Sequence, residues 1–172
     1  MKLLSLLATT LLAACATAQA PDPQSEPPAE PAAEAPAKPA AKKATVAEYM
    51  TEQEEEIRAV AAQGVSRRRN ILVVEIGGKD AFKGGKPTEK TTALLKKLAP
   101  IFARYDKTRI SITGYSADTG KPSLNQLYSE KRADIASDIL EQSAKIADVR
   151  IFVEGKGVLS DKIEIVLTPT FK

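Results

Sequence analysis

The chain of 172 residues has no histidine, no tryptophan and a single cysteine, Cys15. Without histidine, the commonest general base at neutral pH and the commonest metal ligand are both missing. A lone cysteine excludes a disulfide within the chain. No pair of carboxylates stands in a recognisable motif, and no glycine run has the strand-to-helix spacing of a phosphate-cradling loop. Gly77-Gly78 and Gly84-Gly85 read as turns. The expectation is therefore a protein that is not an enzyme, binds no metal and uses no cofactor. Aromatic residues are few, at four Tyr and four Phe, and the formal net charge is only +3. Basic and acidic residues are interspersed, which speaks against nucleic acid as a partner. The one basic run, Arg67-Arg68-Arg69, reads as a solvated turn.

Long apolar runs are missing as well. Lys2 is followed by an apolar stretch from Leu3 to Leu12. A membrane-spanning helix takes about 20 residues, so this stretch reads as a secretory leader instead. It ends in Leu12-Ala13-Ala14-Cys15, which resembles the lipobox of bacterial lipoproteins. That resemblance implies cleavage after residue 14 and acyl chains on Cys15. The alternative is an ordinary leader cut after Ala18-Gln19-Ala20. Each buried methylene contributes about 0.8 kcal/mol and stable anchoring takes about two chains, so a lipidated Cys15 holds a protein on a membrane without a transmembrane helix. Ala16 follows the cysteine where Asp does not. By resemblance to enterobacterial lipoproteins, this implies the outer membrane, with the folded part in the periplasm.

Residues 15–44 are mostly Ala, Pro, Glu and Lys. Such a composition buries too little apolar surface to offset ordering, and its prolines favour extended chain. At about 3.1 Å per residue, a stiff form reaches on the order of 80 Å. The stretch reads as a tether between membrane and domain.

Globular patterning begins near Thr45. A helix is expected over residues 45–66, with Thr51 and Glu54 as a capping box for its later part and Gly64 as its stop. The run Ile71 to Ile76 is a strand by its β-branched content. Thr88 caps a helix to about Tyr105, in which Leu94, Leu95, Leu98, Ile101 and Phe102 recur at helical spacing and Pro100 interrupts the last turn. Arg109 to Gly114 alternates as a strand with Ile110 and Ile112 inward. A second helix follows from about Ser123 to Ser143, then strands Val149–Glu154 and Lys162–Thr168. The fold class is α+β: β-α-β-α-β-β over residues 67–172, a two-layer sandwich with two helices on one face of a small mixed sheet, preceded by the N-terminal helix.

On a helical wheel, Leu124, Leu127, Tyr128, Ile135 and Ile139 share one face, with Asn125, Ser129 and Arg132 along its edge. Arg132 is thereby expected half-buried, its head directed at the turn that carries Asp118. A guanidinium fork suits a carboxylate through two parallel hydrogen bonds.

The segment G-Y-S-A-D-T-G…N-Q-L-Y-S-E-K-R-A resembles the OmpA-like peptidoglycan-binding domain, whose signature runs G-H-T-D-x-x-G…N-x-x-L-S-x-x-R-A. Gly114, Gly120, Asn125, Leu127 or Tyr128, Ser129, Arg132 and Ala133 fit it in spacing. Phe82, Arg150-Ile151, Gly155-Lys156-Gly157 and the strand through Glu164-Ile165-Val166-Leu167 extend the similarity across roughly Tyr49 to Pro169. The leader, tether and N-terminal helix resemble the lipoprotein branch of that family. The resemblance implies non-covalent binding of peptidoglycan through the diaminopimelate of its stem peptide, joining outer membrane to cell wall. Carried over, Arg132 is the carboxylate clamp, Asn125 a supporting contact, and Asp118 and Gly114 complete the site. The family's aspartate falls at Ala117, so the acidic residue here stands one step later. Lys83 follows Phe82 where an acidic residue is usual, and Asp161-Lys162 stands where paired arginines are expected. The alternative reading is a scaffold of the same fold that no longer binds wall and meets another envelope protein, through Tyr115 and the lysines near Lys83 and Lys86.

Replacing Cys15 by Ser is expected to move the protein from the membrane fraction to the soluble fraction and to abolish incorporation of radiolabelled palmitate.

Overall fold

The structure, a computed structural model, describes residues 45–78 and 80–172. Cys15, the leader and the tether lie outside the described residues.

Helix α1 (Val46–Val60) starts on a capping box, but not the expected one. Thr45 Oγ1 accepts the Glu48 N–H, and the Glu48 carboxylate accepts the Thr45 N–H at 2.9 Å. Thr51 instead donates its hydroxyl back to the Ala47 carbonyl. The helix ends at Val60, short of Gly64, because Val65–Arg68 forms strand β1, paired antiparallel with β2 (Ile71–Gly77). Arg67 and Arg68 are thus strand residues, and only Arg69, at φ 56°, lies in a turn. A division at residue 66 would cut β1 in half. Arg67 folds back on α1, donating to Thr51 Oγ1 at 2.7 Å and pairing with Glu54.

Two short strands follow, β3 (Phe82–Lys83) and β4 (Lys86–Pro87), joined through Gly84 at φ 59°. Helix α2 (Glu89–Arg104) runs through Pro100 without ending. Thr88 sits at its N-cap position but gives its hydroxyl to the Asp80 carbonyl, not to the helix. Then come β5 (Thr108–Ser116), α3 (Pro122–Ala144), a 3₁₀ turn, β6 (Ile151–Val158) and β7 (Lys162–Pro169). The five-stranded sheet has the order β1-β2-β7-β5-β6, and only β5 and β6 run parallel. That parallel pair is what α3 bridges, as a parallel connection requires.

Alternation places Leu72 and Val74 of β2, Ile110 and Ile112 of β5, and Ile163, Ile165 and Leu167 of β7 in the core. Met50 and Ile57 of α1 and Leu95, Leu98 and Phe102 of α2 cover them.

Helix α3 departs from its wheel. Its buried residues are Asn125, Ser129, Arg132, Ala133, Ala136, Ser137 and Leu140, while Leu127 is exposed. The small stripe faces the sheet because the helix lies unusually close to it. A Cβ added at Gly114 of β5 would stand 2.0 Å from the Ser129 carbonyl oxygen, and one at Gly155 of β6 would stand 2.6 Å from the Glu130 nitrogen. No leucine fits between the helix and the sheet at these two crossings, and the one buried leucine of α3, Leu140, lies farther along. The larger apolar residues are pushed to its flanks, and Arg132 moves from the edge to the interior.

Overpacking a core typically costs about 1–3 kcal/mol, and here the obstacle is main chain that cannot rotate away. Gly114→Ala is expected to lose about 3 kcal/mol or more of stability, read as a lowered urea midpoint.

Candidate functional site

Three pieces of backbone meet above the C-terminal end of β5: the turn after β5, the β3–β4 hairpin, and the β6–β7 turn. The first half of α3 lies across them.

The turn after β5 is closed by its own side chains. Asn125 Oδ1 accepts the Thr119 N–H at 2.9 Å and the Thr119 hydroxyl at 2.6 Å. Asn125 Nδ2 donates to Asp118 Oδ1 at 3.1 Å, and the same oxygen accepts the Gly120 N–H at 2.8 Å. Gly120, at φ 76°, takes a backbone conformation in which glycine avoids strain. Asp118 and Asn125 are therefore brought together, and together they build the turn. The Gly120 N–H, and then the Asn125 amide, hold the Asp118 carboxyl below the usual aspartate range. Ser129, one helical turn on, accepts the Gly157 N–H at 2.9 Å and so fixes β6 against α3. Gly114, expected in a ligand contact, is the point where β5 allows α3 to approach.

Arg132 does not join Asp118. Its side chain is 3% exposed, and its head faces the other two backbone pieces. Nε and one terminal nitrogen donate to the Gly84 carbonyl at 3.0 and 2.8 Å. The other terminal nitrogen donates to the Tyr115 carbonyl. Asp161, from the β6–β7 turn, supplies the countercharge at 2.7 Å. The guanidinium carbon lies 4.8 Å from the Phe82 ring centre, within cation–π range. Asp161 is 34% exposed, and its Oδ1 also accepts the Ala117 N–H at 2.9 Å.

A carboxylate thus does stand beside residue 117, but it arrives from the other end of the domain. Sequence reasoning noted Asp161 only as a replacement for arginine. The signal was an alanine at the acidic position together with an acidic residue in a turn near the sheet's end, and only the strand order connects the two. A groove of about 970 Å³ runs past Asp161, bordered there by Gly77, Gly78, Asp80, Ala81 and Lys162. A smaller recess of about 500 Å³ is lined by Asp118, Asn125 and Gly157. Arg132 lines neither. Among the described residues no cluster of His, Cys, Asp and Glu has the form of a metal site, and no helix is long and apolar enough to cross a membrane.

Residues 81–165, from the β3 strand to β7, match the OmpA family. The chain carries an OmpA-family domain. Over 98 residues it is 28% identical to outer membrane porin F of Pseudomonas aeruginosa, covering 57% of this chain and 28% of that one. Over 111 residues it is 29% identical to the probable lipoprotein YiaD of Escherichia coli, covering 61% of this chain and 51% of that one. The chain therefore spans about half or less of these relatives' lengths. Of solved structures, a putative MotB-like protein from Desulfovibrio vulgaris shares the fold with a TM-score of 0.61 at 15% identity, over 74% of this chain and 95% of that one.

Within this OmpA-family domain, Asp118 links turn closure to pH. A carboxyl whose pKa falls on folding contributes stability above the unfolded range near about 3.9, and that contribution is lost as pH drops through the lower, folded value. A carbon-detected NMR titration is expected to place the Asp118 midpoint below that of unstructured aspartate. Asp118→Ala should speed hydrogen exchange at the Gly120 amide.

Proposed function

We propose that the domain is a non-covalent peptidoglycan-binding module of the outer membrane, anchored by acyl chains on Cys15, which holds the membrane to the cell wall through the diaminopimelate of the stem peptide. The observation that carries this reading is a guanidinium almost wholly buried at the end of β5 whose one acidic partner lies on an exposed turn. A fold that needed Arg132 only as a brace would be served by the three main-chain bonds to Gly84 and Tyr115 together with a buried acid. Here the acid is within reach of solvent. Membership in the OmpA family supports the same reading. In it, Arg132 takes the ligand carboxylate, while Asn125, Asp118 and Gly114 hold the turn and helix that present it. The resemblance of Leu12-Ala13-Ala14-Cys15 to a lipobox supports the anchor.

A second reading is favoured by one specific observation. Arg132 is 3% exposed and already meets the Gly84 and Tyr115 carbonyls and the Asp161 carboxylate, which fits a scaffold that meets another envelope protein and leaves the wall alone.

Co-sedimentation with insoluble peptidoglycan separates the two. The detergent-solubilised full-length protein is expected to pellet with the wall, and Arg132→Ala to lose at least ten-fold in retention. Wild-type protein that stays in the supernatant would establish the scaffold.

A further inference from the structure

Strand β6 stands last in the sheet order, so one of its edges has no ladder partner among the described residues. Of the seven large hydrophobic residues exposed among the described residues, five lie on or beside it: Val149, Phe152, Val153, Val158 and Leu159. Leu159 is 63% exposed, and Phe152 and Val158 are each 49% exposed. Edge strands of soluble proteins are commonly short, charged or covered, because an open edge invites another strand. The opposite edge follows that rule: β1 has four residues, and its Arg67 is tied to α1 through Thr51 and Glu54. Strand β6 has eight residues and no proline. Helix α3 covers its inner face near Gly155, where Gln126 Nε2 gives an exposed bond to the Gly155 carbonyl at 3.0 Å.

The order of side chains along this edge decides what fits it. Residues 152–159 read Phe-Val-Glu-Gly-Lys-Gly-Val-Leu, apolar at both ends and oppositely charged on either side of Gly155. Glu154 and Lys156 pair within the chain at 3.2 Å, so both charges stand on one face of the strand. Such an order is its own complement when reversed. Two copies laid antiparallel about a two-fold axis at Gly155 set Glu154 of each opposite Lys156 of the other. The same axis brings Phe152 and Val153 of each copy beside Val158 and Leu159 of the other. Opposite charges across a ladder are favourable and like charges unfavourable. Moving the axis by one residue, to Glu154 or to Lys156, sets that residue against its own copy. Parallel docking in register does so for both. Beyond Gly155 the β5–β6 register shifts, with Gly157 at φ 65°. The strand bends there, so the shared ladder is short and the association modest.

We propose that β6 is a homodimerisation edge: a second copy of this chain adds its own β6 antiparallel about Gly155, joining two five-stranded sheets into one. The contact uses the same patch on both copies, so it closes at two. It does not rest on the wall-binding reading. Where both hold, a dimer brings two domains to the wall and raises retention without any new contact to it.

The test is analytical ultracentrifugation of the full-length protein in detergent, with micelles in excess. At about 0.1 mM, a concentration that populates even a weak homodimer, the wild type is expected to sediment as a dimer. Glu154→Lys and Lys156→Glu, both at exposed positions, should each keep the circular dichroism of the wild type and raise the dissociation constant at least ten-fold. Mixed in equal amounts, the two variants should dimerise again, because the lysines of one chain then face the glutamates of the other. Neither chain regains its internal Glu–Lys pair in that mixture, so the recovery reads the contact between copies. Leu127→Ser, at an exposed position of α3, should leave the constant unchanged. Hydrogen exchange of the wild-type β6 amides should slow as concentration rises, which needs no variant. A monomeric wild type with exchange independent of concentration overturns the proposal, whether or not cross-linking in cells joins β6 to a different protein. A dimer indifferent to both charge reversals meets through another surface and overturns it too. A mixture of the two variants that stays monomeric overturns the antiparallel pairing about Gly155.

Discussion

A guanidinium placed beneath a helix must be surrounded by oxygen, and the upper end of this domain is arranged to meet that demand. Arg132 draws a carbonyl from the β3–β4 hairpin, a carbonyl from the end of β5 and a carboxylate from the β6–β7 turn. The β3–β4 hairpin belongs to no ladder of the main sheet, whereas the other two segments already meet where Tyr115 of β5 pairs with Lys162 of β7. The common partner of all three is one side chain, and its always-charged, planar fork can serve three directions where a lysine's single ammonium could not. The Phe82 ring closes one face of the same group. The short β3–β4 ladder, too small to be stable alone, gains a fixed place because Gly84 offers its carbonyl to Arg132.

What puts Arg132 there is the closeness of α3 to the sheet. Gly114 and Gly155 remove the two Cβ atoms that would hold the helix away, and Ser129, Ala133 and Ala136 keep the facing stripe thin. Ser129 then turns closeness into bonding by accepting the Gly157 N–H. The glycine of the motif and the arginine of the motif thus have one cause. Without the first, α3 would ride higher and the second would reach water rather than the Tyr115 carbonyl.

Much of this fold was legible in the sequence. β-branched content located β2, period-two patterning located β5, and period-3.6 patterning located α2, because each buries an apolar face. The wheel of α3 misled for a physical reason: apolar periodicity marks a buried face only where side chains fill the gap, and here glycines in the partner strands had closed it. Strand β1 was hidden because an edge strand of Val-Ser-Arg-Arg carries little apolar signal, with Arg67 reaching back to α1 instead. The turn of Asp118 and Asn125 could be read from local spacing. Asp161 could not, since it lies 44 residues from Ala117 and meets it only through sheet order.

Asp161 is held in position by its neighbours. The next residue, Lys162, bonds Glu75 of β2 at 2.9 Å, lies 3.7 Å from Glu164 of its own strand, and has its ammonium 5.5 Å from the Tyr115 ring centre. The Glu75 bond, more than any other contact, keeps the Lys162 ammonium protonated to higher pH than a free lysine. Gly77 leaves room for it, since a Cβ there would stand 2.6 Å from that of Lys162. The Asp161 carbonyl also accepts the Gly78 N–H at 3.2 Å. The backbone of the turn is thus fixed from both sides while the Asp161 carboxylate still reaches solvent. The turn is thereby held where the Asp161 carboxylate meets both the Ala117 N–H and the Arg132 guanidinium. Lysine and aspartate, standing where arginines were expected, divide that work between them, one fixing the turn through Glu75 and the other setting a charge opposite Arg132.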